Sequence, residues 1–182
     1  MRKKTNSELN RISEAEFKET NKSPVLIILD NVRSLNNVGS VFRTADAFHL
    51  EALFLCGITG KPPDREIRKT ALGATETVQW RYFQSTAEAI AEAKAAGFLL
   101  CAVEQTEGAQ CLDQYYPAPD SKIALILGNE INGVDQEVIN KCDKVIEIPQ
   151  LGTKHSLNIA VCAGIVVWDL LVKLKVLAPR SA

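Results

Sequence analysis

LGNEINGVDQEVINKCDKVIEIPQLGTKHSLNIAVCAGI, residues 127–165, carries the architecture of this chain. It opens at the end of an apolar run, KIALIL (122–127), that reads as a buried strand. Gly128, Asn129 and Glu130 follow at once, so an amide and a carboxylate stand at the strand's carboxyl end. Gly133 permits a turn that most residues resist. A short helix is predicted from Asp135 to Cys142, then a strand, VIEIP (145–149), then a loop with Gly152. A long helix is predicted from Ser156 to about Lys175. Two apolar strands, each opening into a glycine-containing polar turn, imply a sheet whose strand ends present ligands.

Working outward, FLLCAV (98–103) is another strand. Ser85 caps the alanine-rich helix before it, and Gly97 stops that helix. VLIILD (25–30) and 52–56 are strands flanking a helix from Asn37 to Phe48, with Val38, Val41, Phe42, Ala45 and Phe48 on one side. The stretch DREIRKTALGATETVQW (64–80) matches neither helical nor strand period. Strands apolar throughout, separated by helices, predict an α/β fold: a mostly parallel sheet with helices on both faces. Residues 1–22 are a polar extension with one capped helix near Ser13 and Glu16, and 23–182 form one domain.

Composition narrows the function mostly by exclusion. A formal charge of −1 gives no global nucleic-acid signal, leaving only local potential to act. The five cysteines are scattered without CxxC pairs or nearby histidines, as expected of reduced, buried thiols in a cytoplasmic protein and not of a metal site. The amino terminus has no apolar core of a secretory signal. Asn158 and Asp169 interrupt the only long apolar run, 157–172, which reads as a core helix and not a membrane span. Phosphate-loop, GxGxxG, GxSxG and HExxH patterns are all missing, which disfavours nucleotide hydrolysis, Rossmann cofactor binding, serine hydrolysis and zinc proteolysis.

What remains is a set of loops at strand ends. Gly128–Glu130, Ile148–Gly152 and Ser156–Asn158 could build one pocket rich in backbone donors and poor in charge, suited to an adenosine moiety. Each also has a plain reading, Glu130 as a surface charge and Ser156 as a helix cap.

Taken in order with NNVGSVFRT (36–44), these segments resemble the SpoU (TrmH-type) branch of the SPOUT RNA methyltransferases. The family pattern, NxGxxxR, then a GxE turn, then IPxxGxxxSLN, is met by Asn37-Val38-Gly39-Ser40-Val41-Phe42-Arg43, by Gly128-Asn129-Glu130 and by Ile148 to Asn158. The resemblance spans about residues 24–175. It implies a carboxyl-terminal trefoil knot, which no periodicity could reveal. It also implies S-adenosylmethionine held by backbone groups of Gly128, Ile148 and Leu157, with a further contact near Val103, and a homodimer with active sites at the subunit interface. The implied reaction is methylation of a ribose 2′-hydroxyl of tRNA or rRNA, without metal. The short amino-terminal extension leans the choice towards tRNA.

Arg43 is the residue expected to carry the reaction. Its guanidinium keeps its proton below about pH 12, so stabilising alkoxide charge and clamping a phosphate suit it better than acting as a base. Asn37 is expected to orient the ribose or Arg43, with helix capping as the competing role. Glu130, Ser156 and Asn158 are expected to shape the site. Arg65, Arg68 and Lys69 are expected on RNA phosphates, or else on a solvated loop. The contrasting reading is a noncatalytic RNA-binding or ribosome-assembly protein that keeps the fold, and a small-molecule methyltransferase on another scaffold is disfavoured by the missing glycine-rich first turn.

Overall fold

Five hydrophobic residues in a row cannot all face one side of a strand, so Val25 to Leu29 must be covered twice. In the computed structural model, which describes residues 1–9 and 11–177, strand β1 (Ser23–Asp30) is buried on both faces. The last residues of the expected domain, 178–182, lie outside the described range. Val25, Ile27 and Leu29 join one core cluster, and Leu26 and Ile28 join a second. The first is closed by helices α2 (Leu35–Ala47) and α7 (Ile159–Lys173), the second by α5 (Thr86–Ala95) and α6 (Gln136–Ile139).

The sheet has seven strands, all parallel: β2 (Leu50–Cys56), β3 (Trp80–Phe83), β4 (Leu99–Val103), β5 (Gln110–Cys111), β6 (Ile123–Leu127) and β7 (Lys144–Glu147) accompany β1. Their order is β3-β2-β1-β6-β4-β7-β5. The expected α/β fold with helices on both faces is what forms. β1, β6, β4 and β7 are adjacent, and parallel pairing points their carboxyl ends the same way. The segments leaving them therefore meet along one edge of the sheet. Asp30, 1% exposed, ends β1 by accepting from Thr86 Oγ1 at 2.5 Å and the Asp135 amide at 3.1 Å. It thereby ties that strand end to the starts of α5 and α6.

The structure corrects several local expectations. The stretch with no clear period folds as α3 (Arg65–Ala71), capped by Asp64, then α4 (Ala74–Thr77) and β3. Elements this short hold too few turns to show a period. The two-residue β5 was equally invisible. Helix α2 begins before Asn37, with Ser34 as its cap, so capping is not the role of Asn37. Helix α7 is capped by Asn158, whose Oδ1 accepts from the Ala160 and Val161 amides, and Ser156 lies outside it. The expected short helix near Ser13 does form as α1 (Glu14–Glu19), with the Ser13–Glu16 capping box. Its Phe17 is buried in the core.

Candidate active site

The turn after β6 is built around a contact that only glycine allows. A Cβ on Gly128 would lie 1.9 Å from the Gly133 carbonyl carbon and 2.1 Å from the Val134 nitrogen. Paired bonds between Asn129 and Gly133, at 3.1 and 3.0 Å, close the turn, and Asn129 Oδ1 accepts from the Ile131 and Asn132 amides. Gly133 sits at φ +68°, against Glu104. The Glu104 carboxylate accepts from the Val134 amide at 2.9 Å and so fastens this turn to the end of β4.

The same turn throws Glu130 across to the start of α2. Its carboxylate accepts from the Arg33 and Ser34 amides, each at 3.2 Å, and from Asn37 Nδ2 at 3.0 Å. Asn37 Oδ1 in turn accepts from Asn158 Nδ2 at 3.0 Å. Glu130, Asn37 and Asn158 are thus one hydrogen-bonded chain joining the β6 turn, α2 and α7. Burial pushes the Glu130 carboxyl up, but the surrounding N–H groups outweigh it and hold it below the ordinary carboxylate range. A carboxylate held this way is an anchor and a poor proton acceptor.

Between the strand ends lies a cavity of about 460 Å³, within the range of small-molecule sites. Seven expected residues line it: Val103, Gly128, Glu130, Ile148, Ser156, Leu157 and Asn158. Asn37 is attached to it through Glu130 and Asn158. Gln105 crosses towards the far wall, donating from Nε2 to the His155 carbonyl at 2.7 Å. Glu104, Gln105, Glu147, His155 and Cys162 also line the cavity and escaped the sequence reading. The available signal was position alone: Glu104 and Gln105 directly follow β4, and Glu147 ends β7.

Arg43 is elsewhere. It is exposed on α2, six residues past Asn37, so it lies about 9 Å further along the axis and well round the helix from it. It lines a separate depression with Ser40, Thr44, Phe48, Lys69 and Thr70. Gly39 makes this surface possible: a Cβ there would lie 2.3 Å from the Ile67 carbonyl oxygen, so its absence lets α2 and α3 pack closely. Lys69 shares that depression with Arg43, while Arg65 and Arg68 are exposed on α3 outside both concavities. Phe48 also borders an apolar surface formed by Val161, Ile165 and Trp168 of α7. Among the described residues no group of histidine, cysteine or acidic side chains is placed to hold a metal ion, and no helix is long and apolar enough to cross a membrane.

A parallel α/β domain holds this cavity at its strand ends, where such sheets take their ligands, and the Glu130–Asn37–Asn158 chain braces its wall. The model of the SpoU rRNA Methylase family matches residues 24–168, and the chain belongs to that family. It is 30% identical over 146 residues to the 23S rRNA (guanosine-2'-O-)-methyltransferase RlmB of Neisseria meningitidis, matching 80% of this chain and 57% of that relative. The chain therefore spans little more than half the length of that curated relative. Among solved structures it is similar to an AdoMet-bound rRNA methyltransferase from Sinorhizobium meliloti (26% identity, TM-score 0.78, 87% of this chain and 60% of that one). It also resembles a protein described in terms of 2-OH methylation of C/U34 on tRNA (25% identity, TM-score 0.73, 84% of this chain and 99% of that one).

Proposed function

We propose that this protein transfers a methyl group from S-adenosylmethionine to a ribose 2′-hydroxyl of RNA. The observation that carries the reading is the cavity itself, where three separate strand ends and the Asn158 cap converge in a SpoU family chain. Its lining fits the methyl donor: backbone groups of Val103, Gly128, Ile148 and Leu157 for the adenosine, and carboxylates for the cationic part. Bound there, S-adenosylmethionine supplies an electrophilic methyl group. The protein's part is to hold the ribose oxygen in line and lower the cost of its developing charge.

Arg43 is assigned to that charge and to the adjacent phosphate, the hydroxyl proton passing to solvent. Because Arg43 stands outside its own chain's cavity, the reading requires a second copy to bring them together. The exposed stripe Val161, Ile165, Trp168 and Val172 on α7 is a suitable seat, since Phe48 joins it to the Arg43 depression. Arg65, Arg68 and Lys69 are assigned to RNA phosphates. Ser156 is assigned to the cavity wall beside the ribose.

The trefoil knot belongs to the same reading. β7 lies between β4 and β5, and Gln105 touches His155, which supports passage of the 148–158 segment through the earlier loop. A crystallographic trace running outside that loop would refute it. tRNA is favoured over rRNA because the neighbour described by tRNA methylation is matched over 99% of its length. A cytoplasmic site of action is part of the same proposal.

Calorimetry with S-adenosylmethionine, then transfer of a tritiated methyl group to bulk tRNA and rRNA, tests the proposal. Label in the ribose of either RNA is the expected result. RNA binding without cofactor binding would establish the noncatalytic reading instead.

A further inference from the structure

We propose that Glu147 makes the cavity select the charged methyl donor over its neutral thioether product. The inference rests on the cofactor reading above and adds a specificity residue to it. The cavity is lined by three carboxylates, Glu104, Glu130 and Glu147, by His155, and by no lysine or arginine. Among the described residues none of the three glutamates forms an ion pair.

Two of these carboxylates are committed to backbone. Glu104 accepts from the Val134 and Gln105 amides, both at 2.9 Å, and Glu130 accepts from Arg33, Ser34 and Asn37. Glu147 differs. It is the last residue of β7, half-buried, and its polar contact among the described residues is the Cys111 thiol, 3.8 Å from Oε1. A thiol is a weak donor, so this carboxylate has no strong protein partner among the described residues, stays open to solvent and borders the ligand space.

Two thiols, Cys162 in the cavity wall and Cys111 on β5, feel these carboxylates after burial, the larger cause. Burial first, then the Glu104 charge, pushes the Cys162 thiol in the cavity wall up to about 11. Burial first, then the Glu147 charge, raises Cys111. A negative cavity penalises a new anion and favours a cation by the same physics.

The methyl donor and its product differ in just this respect. The donor carries a sulfonium, an ammonium and a carboxylate, for a net charge of +1. After methyl transfer the sulfur is a neutral thioether and the net charge is zero. Backbone contacts to adenosine are the same for both, so they cannot discriminate. With Glu147 placed nearer the sulfur than the ammonium that both ligands share, its charge acts mainly on the donor and loses that hold once the methyl has left.

The test is calorimetric titration of S-adenosylmethionine and S-adenosylhomocysteine into wild type, Glu147→Gln and Glu147→Asp at low and high salt. Glu147→Gln should weaken the donor about threefold to tenfold, the size of one partly screened charge pair, with the thioether unchanged. Glu147→Asp should retain much of the preference, and salt should erode it in the wild type. Equal weakening of both ligands by Glu147→Gln, or no change in either, overturns the inference and leaves the cofactor reading standing. Wild type that binds neither ligand overturns the cofactor reading itself.

Discussion

Asn158 donates from Nδ2 to Asn37 Oδ1 at 3.0 Å, closing a separation of 121 residues with one side chain that also caps α7. The two duties use different atoms, Oδ1 for the cap and Nδ2 for Asn37, so substitution can separate them. Asn158→Asp keeps the cap acceptors at a favourable helix end but cannot donate to Asn37. Its stability should stay within about 0.5 kcal/mol of wild type while methyl transfer falls about tenfold or more. Asn158→Ala should lose activity and also about 1 kcal/mol of stability. Equal activity in Asn158→Asp and wild type, read beside urea midpoints, would refute the bridging role.

Glu130 predicts an acid-sensitive contribution to stability. Burial raises its carboxyl, but the N–H donors together outweigh that and lower it from an ordinary 4.5 in the folded protein. A folded value below the unfolded one means the stabilisation is fully present above about 4.5. It is lost as pH falls from there through the lowered folded value. Urea midpoints measured from pH 6 down to pH 3 should therefore drop less steeply in Glu130→Gln than in wild type. Parallel curves would show that the donors around Glu130 do not favour its charge.

Arg43→Ala should reduce kcat by about 10² to 10³-fold, the loss typical of a missing donor to transition-state charge. The affinity for S-adenosylmethionine should hold, since Arg43 does not line the cavity. Mixing Arg43→Ala subunits with Asn158→Ala subunits tests whether a second copy supplies the arginine. If it does, random reassortment restores about a quarter of wild-type activity, through the one intact site of each hybrid. No recovery on mixing would place Arg43 and the cavity in the same subunit.

Trp168 is 55% exposed on the apolar stripe of α7. Trp168→Glu should leave the fold intact, because its neighbours Val166, Val167 and Leu170 provide the buried face of that helix. Sedimentation should shift from dimer to monomer, and activity should fall with it. A wild type that sediments as a monomer while fully active would refute the assembly.

Replacing Arg65, Arg68 and Lys69 together by glutamine should flatten the dependence of RNA affinity on salt. Each lost phosphate contact removes about 0.7 to 0.9 from the slope of log K against log salt, so three remove about 2 to 3. An unchanged slope would mark α3 as a solvated face.

Much of the fold was readable locally. VLIILD and KIALIL announce strands covered on both faces because each holds five apolar residues in a row, and Ser85 and Gly97 bracket α5 because caps act within one turn. The 64–80 segment and β5 were not readable, since pieces of two to seven residues show no period. Among cavity-lining residues, Gly128, Glu130 and Asn158 were singled out through their motifs. Glu104 and Glu147 were not, because nothing in their own sequence marks a glutamate as facing a cavity.

By itself, the sequence determined which apolar runs are buried strands, where chain turns demand glycine, and that the sheet is mostly parallel. These depend on contacts within a few residues or on the period of apolar side chains. Only the tertiary structure decided that β1, β6, β4 and β7 lie side by side, that the ends of β6, β4 and β7 border a cavity of about 460 Å³, and that Arg43 stands apart from it. Strand order and helix rotation are set by packing across the whole core, where residues 121 apart become neighbours. No local pattern encodes that proximity.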